Sequence, residues 1–176
     1  MSIYFYGCVS LDGYLADSHH RIDWLHETGT PEETSYQEFY DKMDITIMGR
    51  KTYDETSSMS DFDSYYEATE NYVFTHREGL DSETFTPISG DVTAFVKQFP
   101  KEKNIWIIGG NQLIASLLDE NLIDTLIVQF APVLLGDGIP LFTQQEGIKR
   151  YTLKEVHQYG QFAELVLEKP NPTKIP

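Results

Sequence analysis

The chain has 176 residues, and its 13 Lys and Arg against 28 Asp and Glu give a formal charge of −15. So acidic a balance argues against a nucleic-acid surface, which needs a basic face, while 40% apolar residues suit one globular domain with a substantial core. No stretch approaches the roughly 18 uninterrupted apolar residues of a membrane span. The start Met1-Ser2-Ile3-Tyr4 has no basic segment followed by an apolar one. The one cysteine, Cys8, excludes an intrachain disulfide and a Cys-based zinc site, and it reads as a small buried residue of the first strand. A cytoplasmic protein without a bound metal is expected.

In chain order, Ile3–Val9 is apolar and aromatic, a central-strand pattern. Ser10-Leu11-Asp12-Gly13-Tyr14 opens a polar loop that runs through His19-His20, read as ordinary loop residues. Pro31-Glu32-Glu33 looks like a helix start, with Tyr36, Phe39, Tyr40 and Met43 as its apolar face. Ile45–Met48 is a strand stopped by Gly49, residues 57–70 read as a Ser/Asp-rich surface loop, and Tyr72–Thr75 is a further strand. Asp91 is placed to cap a helix carrying Val92, Phe95, Val96 and Phe99, which Pro100 ends. Ile105–Ile108 is apolar without alternation, as in a strand buried on both faces. Gly109-Gly110 follows it, and then Leu113, Ile114, Leu117 and Leu118 repeat with a helical period. Thr125–Phe130 is another strand, and Tyr159-Gly160 turns a closing hairpin of Tyr151–His157 and Phe162–Leu167. The expectation is a mostly parallel α/β sheet with an antiparallel edge, in one domain over residues 1–169 with a loose tail at 170–176.

Three segments end a predicted strand and present glycine, hydroxyl or cation: Gly49-Arg50-Lys51-Thr52, Thr75-His76-Arg77, and Gly109-Gly110-Asn111-Gln112-Leu113. In open α/β sheets ligands sit outside the C-terminal strand ends, and a strand–Gly-Gly–helix unit exposes free N–H groups that favour a phosphate. The alternatives are a tight packing turn and solvated loop cations. Net acidity does not decide between them, because exposed charges are screened over about 8 Å at physiological salt.

The chain resembles the dihydrofolate reductase superfamily, and especially the branch holding the reductase (RibD C-terminal) domain of bifunctional riboflavin-biosynthesis proteins. The resemblance covers about residues 3–168 and rests on Ser10–Ala16, Met48–Tyr53, Ile107–Leu113 and Ala131–Gly138. It implies a dihydrofolate-reductase-like fold, with helices on both faces of the sheet, and NADPH as cofactor. Arg50, Lys51 and Thr52 would then lie near the adenosine and phosphates, Gly109 to Leu113 under the pyrophosphate, and Thr75, His76 and Arg77 at the 2′-phosphate. It also implies hydride transfer to a C=N or C=O of a small pterin- or pyrimidine-like substrate. Trp24, Tyr36 and Gln129 are the expected pocket residues; Trp24 is alternatively a loop anchor. Glu33, in Pro31-Glu32-Glu33, matches the family's proton-donor position, or else only favours the helix N-terminus. Asp12 faces the pocket or simply closes its Asp-Gly turn.

Two departures stand out. Ala68-Thr69-Glu70-Asn71 lacks the arginine with which folate reductases hold the glutamyl carboxylate, so poor turnover of dihydrofolate is expected. The zinc motifs of the deaminase partner domain are absent from the sequence, so the riboflavin pathway is not implied. A non-catalytic NADP-binding protein on the same fold and an authentic folate reductase are the rivals. A homodimer is expected through the apolar run from Leu126 to Phe142.

Overall fold

The computed structural model describes residues 1–59, 62–80 and 82–170; the expected tail lies, from 171 onward, outside the described residues. The elements are β1 (Ser2–Ser10), β2 (Tyr14–Ala16), α1 (Asp23–Thr28), α2 (Tyr36–Tyr40), β3 (Ile45–Gly49), α3 (Arg50–Thr56), β4 (Glu70–Phe74), β5 (Phe85–Ile88) and α4 (Val92–Val96). They continue as β6 (Asn104–Gly109), α5 (Asn111–Asp119), β7 (Thr125–Ala131), β8 (Ile139–Pro140), β9 (Thr152–Tyr159) and β10 (Phe162–Glu168). Eight strands form one sheet in the order β5-β4-β3-β6-β1-β7-β10-β9, and β2 pairs with β8 in a small second sheet. From β5 to β7 every pairing is parallel; β10 joins β7 and β9 antiparallel. This is the dihydrofolate-reductase-like arrangement, closed by the expected hairpin.

Strand alternation divides the core. Ile3, Phe5, Ile45, Ile47, Ile105 and Ile107 point to one face, where α4 and α5 cover them with Val92, Val96, Ile114 and Leu117. Tyr6, Met48, Val73 and Trp106 point to the other, under Phe39, Tyr40 and Met43. Each fully buried Ile or Phe contributes about 1.5–3 kcal/mol. Asp91 caps α4 as expected, accepting from the Thr93 N–H at 2.8 Å.

Several expectations need correction. The helix anticipated from Pro31 is a 3₁₀ turn, Pro31–Glu33, followed after a break by the short α2. Residues 57–70 are not simply a surface loop: a 3₁₀ turn at Asp63–Tyr66 drives Phe62 and Tyr66 into the aromatic core, where both meet Phe85. Polar composition hid these two anchors. Helices α1 and α3 and strand β5 also went unforeseen, being only 6, 7 and 4 residues long. The apolar faces of β7 are covered within the one chain, because Leu126 and Val128 join the first core and Ile127 packs against the second. Within the expected interface run Leu134 and Phe142 remain exposed, and outside it so do Leu11, Met59, Tyr65, Ile148, Leu153 and Val156.

Candidate functional site

Strands β4, β3 and β6 are neighbours and run parallel, so the turns after them share one rim of the sheet. The peptide Gly109–Gly110 is cis, and α5 begins directly after it. Glycine is called for at Gly109, whose φ of 152° is a backbone conformation that side-chain-bearing residues rarely adopt. A Cβ on Gly49 would stand 3.5 Å from the Gly110 nitrogen, and one on Gly110 would stand 3.5 Å from Thr52 Oγ1. Two of the expected cofactor segments are thus in contact through bare backbone. Asn111 turns its amide to the Pro140 carbonyl (3.2 Å), Gln112 is exposed and Leu113 packs against the first core.

Two of the rim's cations share one carboxylate. Arg50 Nε lies 2.6 Å from Asp54 Oδ1, and Arg77 Nη1 lies 3.6 Å from Asp54 Oδ2. Two guanidiniums sharing one carboxylate leave positive charge in excess on a chain of −15. Arg50 Nη1 is buried with no hydrogen-bond partner among the described residues. Such a donor costs about 1–3 kcal/mol until an acceptor meets it. Thr75 Oγ1 accepts from the Arg77 N–H at 3.0 Å, and His76 is exposed beside it. Lys51 Nζ is 2.5 Å from His20 Nε2, and His20 Nδ1 lies 3.5 Å from Glu55, so the loop after β2 rests on α3.

The expected pocket residues lie on the α2 side of the sheet. Trp24 forms a buried cluster with Ala131 and Phe162, edged by Cys8, Leu25, Val133 and Leu135. Tyr36 stacks on Tyr40 and meets Tyr6 and Trp106 edge-on. Gln129 is 5% exposed and donates to Tyr6 Oη (2.8 Å) and to Glu164 Oε2 (2.7 Å). Ser35 Oγ donates to the same Glu164 oxygen at 2.5 Å. Burial raises the pKa of the Tyr6 and Tyr36 phenols, which keeps both protonated. Glu164 itself was missed from sequence, although a signal exists: it shares strand parity with Phe162, an inward position that seldom takes a carboxylate.

The two acids named from sequence are engaged in backbone bonding. Glu33 is exposed, and its Oε2 accepts from the Thr30 N–H at 3.0 Å, closing a capping box. Asp12 accepts from Ser10 Oγ (2.6 Å), the Gly136 N–H (2.8 Å) and the Leu135 N–H (3.2 Å), tying the loop after β1 to the loop after β7. The Ser10 bond chiefly lowers its pKa. In the stretch without an arginine, Asn71 is buried and its amide donates to the carbonyls of Tyr66 and Thr84. Cys8, expected to be buried, is half-buried at the edge of the Trp24 cluster, and the partial burial pushes its thiol up to about 12. Among the described residues no group of three or more His, Cys, Asp or Glu is placed to hold a metal ion, and no helix is long and apolar enough to cross a membrane.

Comparison with known proteins agrees with this architecture. The family model of the RibD C-terminal domain matches residues 3–163. The uncharacterized protein YwjB of Bacillus subtilis (strain 168) is 37% identical over 163 residues, 91% of this chain and 93% of the relative. A putative riboflavin biosynthesis protein from Shewanella sp. PV-4 superposes with a TM-score of 0.82 at 24% identity, covering 97% of this chain and 100% of that one. Dihydrofolate reductase from Enterococcus faecalis, solved in complex with NADP(H), superposes at 0.67 with 12% identity, covering 97% of each chain, a likeness of fold alone. With the strand order, the glycine rim and a match over nearly its whole length in agreement, the chain belongs to the RibD C-terminal domain family.

Proposed function

We propose that this chain is an NADPH-dependent reductase acting on a C=N or C=O of a small, flat, pterin- or pyrimidine-like heterocycle. The observation that carries the reading is the rim itself, where Gly49 and Gly110 meet without side chains and the buried Arg50 Nη1 lacks an acceptor. A phosphate-bearing nucleotide fits such a donor set: Gly49, Arg50, Lys51 and Thr52 would hold the adenosine side, with Gly109, Gly110, Asn111, Gln112 and Leu113 beneath the pyrophosphate. Thr75, His76 and Arg77 would take the 2′-phosphate, where guanidinium–phosphate bonds are strong and directional. NADPH, when bound, supplies the hydride. The protein's part is to orient the acceptor beside it and to exclude water. The solved relative with NADP(H) supports the cofactor by fold.

The test is titration of the full chain with NADPH and NADH, followed by NADPH oxidation in the presence of pterin, pyrimidine and quinonoid acceptors. Tight NADPH binding with turnover of one acceptor class is expected. Binding without any turnover would favour a nucleotide-binding protein without catalysis, and absence of binding would end the reading. We further propose a homodimer that uses the exposed Leu134 and Phe142, since a monomer leaves them in water. Light scattering at micromolar concentration should give twice the chain mass of 20.2 kDa; a monomer mass would reject it.

A further inference from the structure

A polar island lies inside the apolar α2 side of the sheet, and it holds a carboxylate without a cation. The partners of Glu164, 2% exposed, are Ser35 and Gln129, both neutral. No ion pair among the described residues includes it. Both bonds land on Oε2, at 2.5 and 2.7 Å. Among the described residues nothing donates to Glu164 Oε1. The amide of Gln129 is oriented by its neighbours, because a carboxylate only accepts. Its Nε2 therefore serves Glu164 and Tyr6, and among the described residues its Oε1 is left as a second acceptor without a donor.

A donor without an acceptor stands close by. Trp24 is 9% exposed and its Nε1 is buried without a partner among the described residues, whereas Trp106 Nε1 donates to the Tyr6 carbonyl at 3.2 Å. Trp24 packs on Ala131 and Phe162. Ala131 lies two residues from Gln129 along β7, Phe162 lies two residues from Glu164 along β10, and Gln129 and Glu164 are cross-strand partners. All four side chains thus leave the same face, and a two-residue step along a strand is about 7 Å, the width of one substituted six-membered ring. The turn after α1 packs closely on this spot. Gly29, just after α1, has no room for a Cβ, which would fall 2.7 Å from the Phe162 ring.

We propose that Glu164 and Gln129, with the Trp24 indole N–H, form the polar edge of the substrate site. They take a planar heterocycle that presents adjacent N–H donors, such as a cyclic amidine or aminopyrimidine, to the carboxylate and amide and a ring acceptor to the indole. The acid that touches substrate is then on β10, and Glu33 is the helix cap. The proposal deepens the reductase reading and rests on it for the identity of the site.

The probes are 2,4-diaminopyrimidine, which takes a proton from solvent on one ring nitrogen and so presents a ring N–H beside an amino group to the carboxylate, and 1,3-diaminobenzene, which has the same shape but no ring nitrogen; their binding to the full chain is measured by calorimetry. Wild type should prefer the pyrimidine by at least about tenfold, the worth of one bond to a charged group. The preference should vanish in Glu164→Gln and persist in Glu33→Gln. Equal binding of the two probes by wild type, a result that needs no variant to fold, overturns the proposal. So does a preference that survives Glu164→Gln. NADPH oxidation by wild type is followed separately: if NADPH is neither bound nor consumed, the reductase reading fails alone, and if it is consumed while Glu164→Gln keeps the preference, the Glu164 assignment fails alone.

Discussion

The rim and the pocket floor are assembled over very different lengths of chain. On the rim, the Arg50–Asp54 bond spans 4 residues and each contributing piece is one strand end with its turn. On the floor, Ser35–Glu164 spans 129 residues, Gln129–Tyr6 spans 123 and Gln129–Glu164 spans 35. A rim side chain is exposed or half-buried and can be removed with little loss to the core. A floor side chain is buried and shared, so its removal strands its partners. Function and stability should therefore separate on the rim and remain joined on the floor.

The largest expected effect tests the first half of that contrast. Removing both Arg50 and Arg77 should weaken NADPH by about 3–6 kcal/mol if each gives a charged bond of roughly 1.5–3 kcal/mol, and NADH far less. Thermal stability should hardly change. Calorimetric titration with both cofactors decides it, and equal losses for the two would remove the 2′-phosphate from this rim.

Next comes the floor. Gln129→Leu deletes the two bonds that join Tyr6 to Glu164 and leaves a buried carboxylate with Ser35 alone. Destabilisation of about 2–4 kcal/mol is expected from buried groups left unpaired, with NADPH affinity unchanged. Urea unfolding beside a cofactor titration would show the split. A drop in cofactor affinity at full stability would break the comparison.

The smallest effect is electrostatic. The Asp12 pKa is lowered from its ordinary 3.8, first by the Ser10 hydroxyl and then by the Gly136 and Leu135 N–H groups. The ionised form is the one that folding favours, so its contribution is present above about pH 4 and is lost as pH falls through the folded value below 3.8. Asp12→Asn should therefore show a small Tm deficit at pH 6 that closes as both proteins are acidified below pH 4. A deficit that stays constant with pH would assign the loss to packing.

The same contrast explains what could be read in the sequence. Local patterns found β1, β3, β6, α5 and β7 and the hairpin, because Ile105–Ile108 or Leu113–Leu118 carry their own periodicity. They also found the glycine–cation turns, each a few residues long. The floor left a fainter trace. Glu164 is one acid among 28, and its burial depends on Gln129 and Ser35, which no local window contains. Phe62 and Tyr66 were hidden similarly, in a polar run whose anchors are set by Phe85 and Trp106. Glu33 shows the converse hazard: its spacing fits an acid of the pocket, but the nearby Thr30 N–H claims it.

Cys8 turns the packing around Trp24 into something that can be timed. It is the one cysteine of the chain, it edges the Trp24–Ala131–Phe162 cluster, and burial holds its thiol up to about 12, so almost none is thiolate at neutral pH. Because the thiol is only half-buried, iodoacetamide reaches it in the folded protein at a rate set by how little thiolate its surroundings allow. Labelling speed is thus a gauge of the packing beside Trp24: a change that loosens the cluster should quicken it, and a ring compound seated against Trp24 should slow it.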